Sequence, residues 1–425
     1  MDSWQRPAAI FPTAQEILAD RARRDPDRPA LHWFERVLLL GRLAALVESW
    51  GSTLAPRTPA GSPIALVLSE TPALVGLVLA SWQAGRTAVP LAGDLADAEL
   101  ARRLWLSAPG LIVAHEEHLD RVRVAARGCA QEPSIFVLRG QKLSADSRAV
   151  PGKQRQTKKI GELALHAWSD SPGRAALASG LTHANVVASA IRATAARGDR
   201  PGELALVTQR PSDAGALVAD ILARLLAGGI VALAPRPGRD ALLRAMEAGR
   251  PDVLSLDAES LDILLAESPL PARSLRSVRR VVLRTLDLPR TALRRLHERL
   301  PEAEVLRAFG YPETTGDLLL ARQETLERKP DGLGLPHPGI LVGAFSPEGA
   351  LLGAGRTGAL GFRGAVVMRG YHRNPAASRE ALHEGWFRTR DLGYIDDQGE
   401  VVLTAPGGAK ATASVATRPR AMRKK

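Results

Sequence analysis

The chain has 425 residues, of which 45% are apolar, and no apolar run long enough to span a bilayer, so we expect two or three globular units. Its single cysteine, Cys129, excludes an internal disulfide and favours a cytoplasmic location. The net charge of +12 comes from arginines spread along most predicted helices, and with only 4% aromatic residues this pattern disfavours nucleic-acid binding.

Helices and strands alternate through the first 127 residues. The predicted helices cover 13–24, 39–54, 72–83, 97–106 and a segment that ends at 127, and the predicted strands cover 30–33, 64–68, 88–91 and 111–113. Such alternation predicts a parallel sheet with right-handed crossovers. A polar and basic stretch at 144–161 then interrupts the pattern, and we expect a linker or surface loop there.

The alternation resumes after residue 161 and predicts a second α/β unit. Its predicted strands are 163–167, 204–207, 230–234, 252–256, 281–283 and 303–306, and its predicted helices are one that starts at 182 and those at 213–226, 239–248 and 261–266. After Gly332, many glycines separate short apolar pairs, which favours a small twisted β unit such as a barrel. A hairpin at 396–399 and a strand at 400–403 close this unit, and we expect 404–425 to be a disordered basic tail.

Residues 384–399 read E-G-W-F-R-T-R-D-L-G-Y-I-D-D-Q-G and include Asp391. A carboxylate fixed at the end of a strand can accept two hydroxyl hydrogen bonds, which is how proteins hold a ribose diol. Capping of a turn explains the same residue equally well. From these residues alone, both interpretations stay open.

A second motif, residues 309–316, reads F-G-Y-P-E-T-T-G and follows a predicted strand. Gly310 would let backbone approach a ligand, and Phe309 or Tyr311 would offer it a flat face. Glu313 would offer an oxygen ligand for magnesium. The alternative is an ordinary glycine-containing loop capped by the glutamate.

Together the two motifs resemble those of the AMP-forming acyl-adenylating enzymes, which include acyl-CoA synthetases, peptide-synthetase adenylation domains and luciferases. Further similarities at 24–31, 83–91, 181–186 and 363–375 extend the resemblance over nearly the whole chain. The resemblance implies an α/β fold with two parallel-sheet subdomains packed together plus a small distorted β-barrel. It also implies ATP-dependent conversion of a carboxylate to an acyl-adenylate and then transfer to a thiol, often of coenzyme A, by positioning and charge neutralisation.

In that family an aromatic-Gly-x-Thr-Glu loop holds adenine and magnesium, a Thr-Gly-Asp turn holds ribose, and a Ser/Thr/Gly-rich loop holds phosphate. The resemblance therefore implies that two groups of residues bind ATP or AMP, with magnesium on Glu313. The groups are Phe309, Gly310, Tyr311, Glu313, Thr314 and Asp391, and in the phosphate loop Ser169, Ser171, Gly173 and Arg174.

Several positions depart from the family pattern. The phosphate-loop lysine is missing, because Leu177 takes its place, and Asp170 brings a repulsion of roughly 1–4 kcal/mol toward phosphates. Pro312 replaces a threonine, and Arg390 replaces a glycine, so we expect a bulky side chain beside the ribose site. Arg284, followed by a threonine, takes the place of a Gly-Gly pair that precedes the acyl pocket.

The predicted domain is the large AMP-binding domain at 1–403, divided into 1–160, 161–332 and a β-barrel at 333–403, and we expect the family's C-terminal domain, with its catalytic lysine, to be absent. The first functional hypothesis is a degenerate domain with impaired or lost catalysis, which binds a small-molecule carboxylate or nucleotide or serves as the subunit of a protein partner. The second is an active ligase completed by a partner chain. A nucleic-acid-binding function rests only on charge.

Overall fold

The structure is a computed structural model that describes residues 12–146, 163–169, 176–234, 238–266, 272–286 and 288–405. Three predicted features lie wholly or largely outside these ranges. They are the linker predicted at 144–161, residues 170–175 of the phosphate loop, and the tail predicted at 404–425. The first residues of the linker and of the tail are wrong predictions, because they belong to the strands Lys142–Ala145 and Val401–Ala405.

The described residues contain α-helices and strands in the alternating order that the sequence predicts for an α/β fold. The helices are α1 (Ala14–Arg24), α2 (Leu40–Leu54), α3 (Pro72–Gln83), α4 (Asp97–Ser107), α5 (Leu119–Ala126), α6 (His183–Arg197), α7 (Ala223–Ala227), α8 (Arg239–Gly249), α9 (Ala258–Leu265), α10 (Ala272–Leu275), α11 (Arg290–Arg299), α12 (Gln323–Arg328) and α13 (Pro375–Ala381).

The strands are β1 (Pro29–Trp33), β2 (Arg36–Leu39), β3 (Ile64–Leu68), β4 (Ala88–Ala92), β5 (Leu111–His115), β6 (Ser134–Arg139), β7 (Lys142–Ala145), β8 (Leu163–Ser169), β9 (Leu177–Thr182), β10 (Leu204–Val207), β11 (Ile230–Leu233), β12 (Val253–Leu256), β13 (Arg280–Leu283), β14 (Glu304–Tyr311), β15 (Gly316–Ala321), β16 (Gly332–Pro336), β17 (Leu341–Phe345), β18 (Gly358–Arg363), β19 (Gly370–Tyr371), β20 (Leu382–His383), β21 (Trp386–Ile395) and β22 (Val401–Ala405).

The first sheet has the strand order β19-β9-β8-β4-β3-β5-β6-β7, and its centre is parallel. In the middle, β3 pairs with β4 on one side and with β5 on the other, so that Ile64 lies opposite both Ala88 and Leu111. All five residues of β3 are buried, which explains their continuous apolar sequence. The hairpin of β8 and β9 joins this sheet through the pairing of Ala88 with Leu165.

The second sheet is also parallel at its centre, where β10 pairs with β11 and β12, and β13 pairs with β12 and β14. Its edge is formed by β1, which pairs in parallel with β11 through Leu31 and Val231, and by β2. The strands therefore do not divide at residue 160. An N-terminal hairpin belongs to the second sheet, and the β8–β9 hairpin beyond residue 160 belongs to the first.

The C-terminal β unit continues the second sheet instead of standing apart from it. Its antiparallel order is β17-β18-β21-β22-β16, and β16 then pairs with β15. Within the described ranges this path is open, so the expected closed barrel is not shown. The predicted hairpin at 396–399 is present, where the backbone N–H of Asp396 donates to the carbonyl of Glu400 over 3.0 Å.

Two predicted elements differ from the structure. The predicted helix at 213–226 consists of a π-helix, Ala216–Leu222, followed by α7, and the predicted strand at 303–306 continues to Tyr311. A π-helix carries one extra residue in each turn, a feature that apolar periodicity does not reveal. Residues of α2, α3 and α6 share one continuous core with strands of both sheets.

None of the helices in the described part of the chain combines the length and the apolar character needed to cross a membrane.

Candidate functional site

Asp391 lies inside β21, at the junction between the β unit and the second sheet. Side chains alternate between buried and exposed along this strand, and Asp391 is on the buried face with only 2% of its surface exposed. Its Oδ2 accepts a hydrogen bond from the hydroxyl of Tyr311, and its backbone N–H donates to Oγ1 of Thr389 over 3.2 Å. Asp391 is therefore neither at a strand end nor in a turn, and a tyrosine hydroxyl already occupies one of its oxygens.

Arg390 points in the opposite direction. Its side chain is on the outward face of β21 and forms an ion pair with Glu380 of α13. The expectation that this bulky side chain lies beside the ribose site is wrong, because neighbouring residues of a strand face opposite sides of the sheet. The group that contacts Asp391 is Tyr311, which the sequence reasoning treated only as an aromatic face.

Glu313 lies in a single 3₁₀ turn, Pro312–Thr314, directly after β14. Its side chain is buried, and Oε1 accepts a hydrogen bond from the hydroxyl of Tyr371 over 2.9 Å. Burial raises the pKa of Glu313, while hydrogen bonds from Tyr371 and Ser169 act in the opposite direction. The structure thus brings Glu313 and Ser169 together, as the resemblance implies, and the Tyr371 hydroxyl takes one acceptor position of the glutamate.

Strand β19 explains how Tyr371 reaches Glu313. This two-residue strand pairs with β9 of the first sheet, with Gly370 opposite Gly180. The backbone N–H of Met368 also donates to the carbonyl of Glu313 over 2.7 Å. Glu313 is therefore bound by Tyr371 of β19 and by Met368, which precedes β19 in the chain. The glutamate lies where both sheets and the β unit meet.

The aromatic rings of the second motif form part of the core. Phe309 and Tyr311 are at most 1% exposed and meet edge to face with ring centroids 5.1 Å apart. Tyr311 also contacts Phe362 and Phe387. Neither ring of the motif offers an exposed flat face to a ligand. Burial and the neighbouring Asp391 both raise the pKa of Tyr311, so the phenol stays protonated and continues to donate.

Gly310 and Thr314 maintain the shape of the hairpin between β14 and β15. A Cβ atom on Gly310 would lie 1.7 Å from the carbonyl oxygen of Gly316, so this position requires glycine for its own strand pairing. The Oγ1 of Thr314 accepts from the backbone N–H of Tyr311 over 3.1 Å. Both residues thus have structural partners within the chain.

Of the phosphate-loop residues, Ser169 is described, whereas Ser171, Gly173 and Arg174 lie outside the described residues. Ser169 ends β8 and is largely buried. On the same strand, His166 is buried with neither ring nitrogen hydrogen-bonded within the described part of the chain, and its ring lies 4.3 Å from that of His372. Burial lowers the pKa of His166 to about 3, so it remains neutral and adds no positive charge near the loop.

A buried ionic cluster includes Asp317, which follows the Glu313 turn in the chain. Arg284, directly after β13, donates to Asp220 of the π-helix and to Asp317 of β15, and none of the three is more than 1% exposed. Arg197 adds a further bond to Asp317 over 3.2 Å, and Arg224 pairs with Asp220. Burial by itself would lower the pKa of Arg284, but the two carboxylates raise it well above the ordinary value. Where the resemblance implies a Gly-Gly pair, this chain therefore carries the buried charged side chain of Arg284.

Both acids to which the resemblance assigns a ligand are already hydrogen-bonded within the chain. Magnesium prefers several exposed oxygens with water, but Glu313 is buried and hydrogen-bonded to Tyr371. The Tyr311 hydroxyl takes one acceptor position of Asp391, and burial leaves little of this carboxylate exposed to a ribose diol. In the described ranges no three His, Cys, Asp or Glu side chains form a group that could hold a metal ion.

Comparison with known proteins identifies the family to which the chain belongs. The sequence model described as AMP-binding enzyme matches residues 18–171 and 180–372. Indoleacetate–CoA ligase from Aromatoleum aromaticum is 25% identical over 396 residues, which cover 90% of this chain and 76% of that protein.

Solved structures share the fold. O-succinylbenzoate coenzyme A synthetase from Bacillus subtilis, in complex with AMP, is 19% identical and matches with a TM-score of 0.78 over 92% of this chain and 78% of its own. The N-terminal domain of FACL13 from Mycobacterium tuberculosis is 18% identical and matches with a TM-score of 0.82 over 93% of this chain and 100% of its own. Because the family match covers more than half of the sequence, the chain belongs to the AMP-binding enzyme family.

Proposed function

We propose that this chain is a degenerate AMP-binding family member in which ATP-dependent activation of a carboxylic acid is impaired or lost. The observation that carries the proposal is that tyrosine hydroxyls from within the chain bind both site carboxylates, Glu313 and Asp391. A ligand that needs the acceptor position taken by either hydroxyl must break a hydrogen bond to a buried charged group, worth about 1.5–3 kcal/mol. That cost opposes nucleotide and metal binding before any chemistry begins.

The buried cluster around Arg284 supports the same proposal. Arg284 and its partners Asp220 and Asp317 are buried and hydrogen-bonded to one another, at the position that the resemblance assigns to a Gly-Gly pair before the acyl pocket. Removal of one member of such a cluster leaves a buried unpaired charge and costs about 3–5 kcal/mol. A substrate that displaced one member of this cluster would therefore destabilise the chain. The absent phosphate-loop lysine and Asp170 work in the same direction.

The direct test is pyrophosphate exchange with a panel of carboxylic acids, run beside thermal-shift measurements with ATP, AMP and magnesium. Since an indoleacetate–CoA ligase is among the relatives, the panel includes aromatic acids as well as acetate, long-chain fatty acids and amino acids. We expect no exchange above background and at most a small shift with nucleotide. Weak exchange would leave impaired catalysis, whereas exchange with any acid at about 1 per second or faster would overturn the proposal and favour an active ligase, completed by a partner chain if it needs one.

A pair of variants separates residual nucleotide binding from a purely structural role of Asp391. Asp391→Ala removes the carboxylate bound by Tyr311, whereas Asp397→Ala changes an exposed acid in the nearby hairpin. If Asp391→Ala lowers basal stability and leaves the AMP-induced shift unchanged, Asp391 is structural, as proposed. A selective loss of the AMP-induced shift would mean that the ribose site still functions.

A further inference from the structure

A cavity of about 480 Å³ is lined by residues that follow strands of both sheets, and none of them belongs to the Glu313 turn. Its wall contains residues from both halves of the chain: Ser69, Glu70, Gly93, Asp94, His118, Arg210 and Glu259. A volume of this size accepts a small organic molecule. None of these residues belongs to the motifs that indicated a nucleotide site.

The strand order explains why the cavity forms at this place. In the first sheet, β4 lies on one side of β3 and β5 lies on the other, so the chain reverses direction across the sheet after β4. In the second sheet, β11 and β12 lie on opposite sides of β10 in the same way. Such reversals open a crevice at the carboxyl ends of the strands, which is where open α/β sheets bind ligands. Ser69, Gly93, Arg210 and Glu259 all follow the ends of these strands, so the cavity joins two crevices of this kind.

The wall of the cavity is rich in hydrogen-bond acceptors. It carries three carboxyl groups, on Glu70, Asp94 and Glu259, against one arginine, Arg210, whose guanidinium forms a two-bond pair with Asp94. His118 adds no positive charge near neutral pH, because burial lowers its pKa. The wall of the cavity has more acidic than basic side chains, although the whole chain has a net charge of +12. The negative charge is therefore a local feature of the cavity.

The ring of His118 lies against Gly93, at a distance that only glycine allows. A Cβ atom on Gly93 would lie 2.0 Å from Nε2 of His118, so only glycine leaves room for this ring in the cavity wall. The same Nε2 lies 3.1 Å from Oγ of Ser69. The wall is thus packed to present an imidazole and a hydroxyl beside the acids.

Glu70 forms no ion pair within the described part of the chain, and Arg210, whose charge lowers its pKa, is paired with Asp94. Its carboxylate accepts hydrogen bonds from the backbone N–H of Ser212 over 3.0 Å and from the Ser212 hydroxyl, and these neutral donors come from the second sheet. Burial, and then the charge of Asp213, raise the pKa of Glu70 to about 7 against weaker opposing effects of Ser212 and Arg210. A half-buried carboxyl group beside a cavity, without a cation of its own, is a preformed partner for a positively charged ligand.

We propose that this cavity binds a small molecule through a primary ammonium group, which Glu70 and Glu259 hold from the two sheets. The ammonium donates to the two carboxylates. The Ser69 hydroxyl donates to Glu117, so its oxygen can only accept from a polar group of the remaining molecule. The inference does not depend on the proposed loss of catalysis, because it uses a different set of residues.

The test uses the full chain and three probes of matched length: putrescine, 1,4-butanediol and succinate, titrated by calorimetry near pH 7. We expect saturable binding of putrescine alone. Because the chain carries a net charge of +12, unspecific attraction would favour succinate, so selectivity for the dication cannot come from overall charge. Equal binding of the diol, or no saturable binding of putrescine at millimolar concentration, would overturn the proposal.

Variants identify the site independently. Glu70→Gln and Glu259→Gln should each weaken putrescine binding about tenfold, as expected when one charge-assisted hydrogen bond is lost. Glu298→Gln, which changes an exposed acid on α11, should leave it unchanged. Glu259 is exposed, so its variant tests the site even if Glu70→Gln alters folding. Binding that neither variant weakens would contradict the assignment.

Proton release provides a second readout. An ammonium ion beside Glu70 favours its ionised form, so putrescine should release a proton from the wild-type chain near pH 7. Titrations in two buffers of different ionisation enthalpy measure this release. The Glu70→Gln variant should show none, and an equal release from both chains would place the ligand elsewhere.

Discussion

Tyr371 donates its hydroxyl proton to Oε1 of Glu313 over 2.9 Å, and this bond connects a strand of the first sheet to the turn that ends β14. Tyr371→Phe removes the donor and leaves a buried carboxylate oxygen with one partner fewer. We expect a loss of about 1–3 kcal/mol in the free energy of unfolding. Urea denaturation at pH 8 measures it, with Tyr394→Phe, on the outward face of β21, as the control.

The pH dependence of that variant follows from the raised pKa of Glu313. The lost bond stabilises the ionised carboxylate, so its removal matters most where Glu313 is ionised and least where it is protonated. The difference between Tyr371→Phe and the wild type should therefore shrink as the pH falls through the raised pKa of Glu313. A difference that grows toward low pH would contradict the proposed role of the bond.

Arg284→Met should be among the most destabilising single changes in the chain. It leaves Asp220 and Asp317 buried without their shared partner, at a cost of about 3–5 kcal/mol. Arg294→Met, on the exposed face of α11, should cost less than about 1 kcal/mol. Chemical denaturation compares the two, and the triple variant that also carries Asp220→Asn and Asp317→Asn should recover part of the loss. Equal small effects of both single variants would show that the cluster contributes little.

Gly310→Ala tests whether this glycine serves the hairpin. The new methyl group would overlap the carbonyl of Gly316, and the two strands would have to separate, at a cost above about 3 kcal/mol. Gly353→Ala is the matched control, because nothing lies within 4 Å of its added atom. Soluble yield and thermal melting compare the two. An unchanged melting temperature for Gly310→Ala would mean that the backbone there adapts easily.

Glu70 makes the wild-type chain less stable as the pH rises. Its raised pKa means that the folded chain holds a proton that the unfolded chain has lost between about pH 4.5 and 7. Stability from this group is full below that window and decreases through it. Relative to Glu70→Gln, the wild type should lose about 1–3 kcal/mol between pH 5 and 8, measured by urea denaturation. Asp397→Asn, an exposed change, should show no such difference.

The sequence predicted the fold class and most of the elements, because helix and strand periodicities are local. It did not predict which strands share a sheet. Leu31 pairs with Val231, two hundred positions away, and nothing in the apolar pattern of β1 distinguishes one parallel sheet from another. The glycines of the β unit correctly indicated short twisted strands, but these continue the second sheet through β16 and β15 and show no closed barrel.

The site was predicted only in part, for a related reason. The motif positions of Glu313 and Asp391 do come together at one junction, but their hydroxyl partners are distant in sequence. A residue type indicates what a side chain can donate or accept and leaves its partner undefined. The chain has only three tyrosines, and two of them bind the two acids. The departure at Arg284 was visible in the sequence, but its neutralisation by Asp220 and Asp317 required the structure.

The exchange of strands between the two halves affects how the protein unfolds. Because β1 and β2 complete the second sheet while β8, β9 and β19 complete the first, neither half contains all of its own strands. A cut near residue 160 would leave two fragments that each lack an edge of their sheet. The halves are therefore interlocked, and they should melt in a single cooperative transition instead of two.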